Sequence, residues 1–196
     1  MLGSSSNLYN STTISIIDQI KPSQIIEFGC GQGKLGKLLL GKNLIPEKGL
    51  IGVQPLTDKY EESHLRNNGY SNVFSITIGD YLKEHVDIET DMFVAMDVFE
   101  HLNYTDMISA IDQLLYNCNT FLLIHPSKHP QKANGTHFDA HRTSFELLDI
   151  ASRFEVIFYN LTGFAQISSV HRYHFTLLRG HMNLRVYRPI IQQVID

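Results

Sequence analysis

The sequence predicts an α/β domain built on a mostly parallel sheet, and three observations carry that prediction. Short β-rich runs alternate with helical stretches along the chain, the pattern of repeated βαβ units. The length, 196 residues, suits one domain with a sizeable core. The apolar run from Met92 to Met96 reads as a strand buried on both faces, as the inner strands of parallel sheets are.

The elements follow in order. Residues 1–10 are polar and Ser-rich and are read as a flexible N-terminus, with 11–196 forming the single domain. A first helix runs to Ile20, capped by Ser11 or Thr12 and stopped by Lys21-Pro22, because proline disfavours helical geometry in the residue before it. Gln24–Phe28 is a first strand and Gly33–Leu40 a helix with Leu35, Leu38 and Leu39 at core spacing. Gly49–Gln54 is a second strand, ended by Pro55. Asp58–Asn68 is a polar helix, Val73–Ile78 a third strand, and Tyr81–His85 a helical turn. The fourth strand is followed by a helix over Tyr104–Tyr116 and a fifth strand over Thr120–His125. A polar loop from Pro126 to His141 has the length of functional loops. Ser144–Ser152 is a helix. Phe154–Asn160 and His174–Leu178 are strands that can pair antiparallel at the sheet edge.

Composition narrows the function classes. The chain is 43% hydrophobic and 18% charged, as a folded globular protein is. No apolar run reaches the roughly 18–20 residues of a membrane-spanning helix, and no secretory signal pattern is visible. The net charge of −4, without a Lys/Arg-rich block, argues against a nucleic-acid partner held by bulk electrostatics. Two cysteines, Cys30 and Cys118, make no disulfide framework and point to a reducing, cytoplasmic compartment.

The chemistry concentrates first in Glu27-Phe28-Gly29-Cys30-Gly31-Gln32-Gly33, between a strand and a helix. Glycines let the backbone turn sharply and let a ligand approach the main chain, and the helix start offers unpaired N–H groups. In open α/β sheets, ligands sit at the carboxyl ends of strands where the strand order reverses. Gly31 to Gly36 also satisfies the dinucleotide pattern G-x-G-x-x-G. Glu27, however, suits a cationic, amine-bearing ligand and would repel a pyrophosphate. A tight turn with no ligand is the alternative reading.

With Gly79-Asp80-Tyr81 and Asp97-Val98-Phe99-Glu100-His101-Leu102, this loop resembles the class I S-adenosylmethionine-dependent methyltransferases. The resemblance covers roughly residues 11–180. It implies a Rossmann-like, seven-stranded sheet with an antiparallel edge pair, helices on both faces, and methyl transfer from S-adenosylmethionine to a small-molecule acceptor. It further implies that Glu27, Gly29, Cys30, Gly31, Gly33 and Asp97 line the cofactor site, that Asp80 bonds the adenine amino group and that Tyr81 lies beside the adenine. Asp80 also reads simply as a helix N-cap. The family's ribose-binding acid at the end of the second strand is replaced by Gln54. Gln can accept and donate but lacks the strength of a charge-assisted bond, and Asp58 is a candidate to help. The same replacement argues against a nicotinamide-dependent oxidoreductase.

Asp97, Glu100 and His101 lie within five positions after the fourth strand, where the reacting methyl belongs. His101 suits a general base, with a reference pKa of about 6.5. Glu100 and His101 equally suit orienting the loop and capping the next helix. His141 follows the fifth strand. One family branch, small-RNA 2′-O-methyltransferases, binds a divalent metal with such a set. Here that set is Asp97, Glu100, His101 and His141, and a metal would lower the pKa of a bound hydroxyl. Catalytic roles are therefore expected of His101, Glu100 and His141. His125, His129, His171, His174 and His181 carry no assigned role. A catalytically silent cofactor-binding subunit is the reading from a different functional class.

Overall fold

The computed structural model describes residues 7, 9–55, 59–127, 141–166 and 169–182, with the side chains of 59–61 and 162–171 left aside. Seven strands form one sheet in the order β3-β2-β1-β4-β5-β7-β6. They are β1 (Ile25–Phe28), β2 (Leu50–Val53), β3 (Tyr70–Phe74), β4 (Thr90–Met96), β5 (Cys118–Pro126), β6 (Val156–Gln166) and β7 (Ser169–Arg179). The first five run parallel, and β7 is antiparallel to both β5 and β6. The expected edge pair is therefore present.

The helices are α1 (Asn10–Ile20), α2 (Lys34–Leu40), α3 (Lys59–Asn67), α4 (Ile78–Glu84), α5 (Tyr104–Tyr116) and α6 (Leu147–Ala151). They divide between the two faces because each strand alternates its side chains. Ile25 packs with Ile16 and Ile17 of α1 and Leu35 and Leu39 of α2 on one face. Ile26 and Phe28 pack with Tyr81 of α4 and Ile111 and Leu114 of α5 on the other. Each fully buried aliphatic side chain contributes about 1.5–3 kcal/mol of transfer free energy. Cys30 and Cys118 are both buried, and neither is in a disulfide.

Several expected boundaries are corrected. The first helix opens at Asn10, not after a Ser11 or Thr12 cap, and its cap residue Tyr9 uses no side-chain bond. The Thr13 hydroxyl instead donates back to the Tyr9 carbonyl at 2.8 Å. The third strand lies three residues earlier than expected, because Tyr70 to Phe74 pair with Leu50 to Val53. Ile78 belongs to α4, whose cap is Thr77, and Thr77 accepts from the Asp80 N–H at 3.1 Å. Asp80 thus sits in the first turn of α4 and is not its cap. α6 is shorter than expected, since the N–H groups of Arg142 and Thr143 donate to the Glu100 carbonyl at 2.8 and 3.1 Å, which holds that segment out of a helix. Glu146 and Asp149 then form a capping box. β6 and β7 extend well beyond Phe154–Asn160 and His174–Leu178, because polar residues such as Asn160 and Thr162 hide the alternation.

Candidate functional site at the switch in strand order

Strand order reverses between β1 and β4, and in open α/β sheets the carboxyl ends of the strands at such a reversal form the ligand crevice. From β1 the chain enters the glycine loop. Gly29, Gly31 and Gly33 all take positive φ, at 66°, 54° and 77°. Only glycine accepts such a run without strain. A Cβ on Gly29 would strike Val98, so the two loops close on each other there. A Cβ on Gly31 would meet nothing within 4 Å, so its backbone faces open space.

Glu27 is 2% exposed, and one of its carboxyl oxygens accepts a hydrogen bond from the Tyr70 hydroxyl. Burial pushes its pKa up to about 8, against the opposing pull of Tyr70 and of the Lys34 ammonium. Gln54 does not reach outward. Its Oε1 accepts from Gly31 N–H at 2.5 Å and its Nε2 donates to the Gly31 carbonyl at 3.1 Å. The side chain expected to meet a ribose is a two-point clamp on the glycine loop. Asp58, the alternative, lies outside the described residues.

Asp97 leaves β4 with φ 56°, a left-handed conformation uncommon outside glycine. Its N–H donates to the Ile124 carbonyl at 3.0 Å. Oδ2 accepts from the Tyr9 hydroxyl at 2.8 Å, while Oδ1 is sealed from solvent with no hydrogen-bonding partner among the described residues. Burial raises its pKa, against Tyr9, Lys34 and His101. Phe99–His101 then forms a short 3-10 turn. Glu100 is 2% exposed, and neither carboxylate oxygen makes a well-formed hydrogen bond among the described residues. Burial and the neighbouring Asp97 charge hold its proton well above the ordinary carboxylate range, against attraction to the nearby backbone N–H groups of Val98 and Glu100.

His141 is brought here by the Arg142 and Thr143 bonds to Glu100, and by the Thr143 hydroxyl, which donates to the Leu102 carbonyl at 2.5 Å. The His101 and His141 rings meet edge-on with centroids 5.0 Å apart. One ligand atom from each of Glu100, His101 and His141 lies within 4.8 Å of the others. Asp97 stands outside that group, tied to Tyr9.

Two expected site residues sit differently. Asp80 is half-exposed on α4, accepts from the Thr77 hydroxyl at 2.6 Å and pairs with Lys83 at 3.6 Å. The Thr77 bond holds its pKa below the ordinary value. Tyr81 is 1% exposed and packs edge-on against Phe28 and Phe74, so in this conformation it offers a ligand almost no surface.

Four residues missed in the sequence complete the crevice. Tyr9 is fully buried, with the Lys34 ammonium 4.4 Å from its ring centroid and Tyr173 edge-on at 5.5 Å. Burial and the charges of Asp97 and Glu100 push the Tyr173 phenol up to about 12. Tyr70 arrives from β3. No periodicity marks these residues. Lys34 alone carried a signal, as the first residue after the glycines. The remaining histidines divide. His125 is fully buried between Phe145 and His174, and burial drives its pKa down to about 3. His174 bonds Tyr159 and Glu146. His181 lies against Tyr116. His129 and the His171 side chain lie outside the described residues.

No family model matches the chain, and no curated protein matches it by sequence. Solved structures do match by shape. TehB from Haemophilus influenzae is 15% identical with a TM-score of 0.62, covering 87% of this chain, which spans 62% of TehB. The methyltransferase domain of bacterial CtHen1 is 13% identical with a TM-score of 0.61, over 88% of this chain and 97% of that one. Magnesium protoporphyrin IX methyltransferase from Synechocystis PCC 6803, solved with bound S-adenosylmethionine, is 14% identical with a TM-score of 0.55, over 88% and 80%. With its seven strands, reversed edge pair and flanking helices, the chain has the Rossmann-like fold of the class I methyltransferases.

Proposed function

We propose that this protein is an S-adenosylmethionine-dependent methyltransferase acting on a small-molecule acceptor. The observation that carries the reading is the crevice between β1 and β4. There a buried acid, Glu27, lies beneath a glycine loop with open space beside Gly31, and among the described residues one sealed oxygen of Asp97 has no hydrogen-bonding partner. Two carboxyl groups beside that open space fit a ligand with a cationic amino-acid end. Bound there, S-adenosylmethionine supplies an electrophilic methyl on a sulfonium centre. Glu27 and Asp97 attract the cationic end, and the Gly29 and Gly31 backbone sets how closely the ligand approaches. Gln54 holds the loop in shape. His101 takes the acceptor's proton as general base, and Tyr9 and Tyr173 shield the Asp97 side of the crevice from water.

A second reading rests on Glu100, His101 and His141. One buried carboxylate that makes no well-formed hydrogen bond among the described residues and two imidazoles within 4.8 Å fit a divalent metal. Such an ion would lower the pKa of an acceptor hydroxyl on a ribose or sugar. Calorimetric titration with S-adenosylmethionine, S-adenosylhomocysteine and NAD separates the readings, first after EDTA and then with magnesium or manganese restored. Both adenosyl ligands should bind and NAD should not; binding of NAD alone overturns the proposal. Metal-dependent heat favours the second reading. Tight adenosyl binding without turnover on any acceptor marks a silent cofactor-binding subunit.

A further inference from the structure

The crevice holds a charged group that no family motif above assigns. Lys34 opens α2 directly after Gly33. Its ammonium is carried by a half-buried side chain. It sits 4.4 Å from the centroid of the buried Tyr9 ring and feels both Asp97 and Glu27. Burial lowers its pKa, opposed by those two carboxyls. Two acids, one ammonium and an aromatic wall thus share one end of the switch crevice, beside the open space at Gly31. A simple cation would find Lys34 repulsive there, and a simple anion would meet Glu27 and Asp97. A ligand carrying an ammonium and a carboxylate on one carbon satisfies all three groups.

We propose that Lys34 is the anchor for the carboxylate of the cofactor's amino-acid end, with Glu27 and Asp97 taking its ammonium. This deepens the methyltransferase reading and rests on it. The Tyr9 ring positions Lys34 by lying under its ammonium, a contact that favours the charged form. Tyr9 in turn is fixed through its own hydroxyl bond to Asp97. The N-terminal segment therefore takes part in recognising the amino-acid end, although it carries no cofactor motif.

The test compares S-adenosylhomocysteine with its decarboxylated form, which keeps the amine and thioether but lacks the carboxylate. Binding of each is measured calorimetrically to the wild-type chain, Lys34→Met and Lys34→Arg. A charged hydrogen bond in a half-buried site is expected to give about 10- to 100-fold preference for the carboxylate-bearing ligand. Lys34→Met, which keeps the stem packing on Tyr9, should abolish that preference by weakening only S-adenosylhomocysteine. Lys34→Arg should restore most of it. Thermal unfolding of each variant verifies that the fold is intact. Equal weakening of both ligands by Lys34→Met, or a wild-type chain that binds both equally, overturns the assignment while leaving the methyltransferase reading in place. A wild-type chain that binds neither ligand overturns the methyltransferase reading itself.

Discussion

Below about pH 4.5 Glu27 is protonated whether the chain is folded or not. Between there and about 8 the unfolded chain loses this proton while the folded chain keeps it. The folded state then binds more protons, so this group's stabilising contribution is full at low pH and lost as pH rises through the folded value. The loss accrues at up to about 1.4 kcal/mol per pH unit across that window. Glu27→Gln keeps an acceptor for the Tyr70 hydroxyl and removes the titration. The variant should melt higher than wild type at pH 8 and lose that advantage at pH 4.5, as circular dichroism melts would check. It should also bind S-adenosylhomocysteine more weakly, since Glu27 meets the ligand's ammonium only after giving up its proton. An unchanged pH profile of stability would show that burial does not hold the proton on Glu27. The acid and the glycines were legible in the sequence because local spacing defines them. Tyr70 was not, because its link to Glu27 spans 43 positions and exists only once β2 lies between β1 and β3.

The glycine loop is positioned from the neighbouring strand. Gln54 follows β2, and its amide meets both polar groups of the Gly31 backbone, which a Glu cannot do. Gln54→Glu would keep the acceptor, lose the donor and set a carboxylate against the Gly31 carbonyl. The expected cost is about 1 kcal/mol for the lost bond, with repulsion added. Thermal unfolding should show the loss, and calorimetry should show cofactor affinity no better than wild type. Tighter binding in the Glu variant would mean that the side chain leaves Gly31 to meet the ribose. Sequence patterns gave α5 to the residue, because its amphipathic repeat is uninterrupted between Tyr104 and Tyr116. They misplaced β3 and α4, where the β-branched run Ile76, Thr77, Ile78 imitates a strand. The Thr77 cap decides the matter, and a cap is visible only once the first turn exists.

Across the whole molecule, the crevice depends on parts that are remote in sequence. Tyr9 touches α2 through Lys34, the end of β4 through Asp97 and β7 through Tyr173. A residue from a polar, Ser-rich stretch read as a flexible N-terminus is thus fully buried at the junction of three elements. Composition could not show this, because the apolar partners of Tyr9 are assembled only by the complete sheet. The two contributions of Tyr9 can be separated. Tyr9→Phe keeps the ring and removes the bond to Asp97, leaving a second oxygen of that half-buried carboxylate without its partner. It should cost about 1–3 kcal/mol and raise the Asp97 pKa further, since the lost bond favours the ionised form. Tyr9→Ala removes the ring as well and opens a cavity between α2, β4 and β7. Its expected cost is about 3–5 kcal/mol, the range for losing a buried aromatic. Urea unfolding of the two variants orders these effects. If Tyr9→Ala costs no more than Tyr9→Phe, the ring is not packed in solution and the N-terminal segment does not close the crevice. If Ala costs the full amount and Phe little, packing rather than the Asp97 bond holds the segment down.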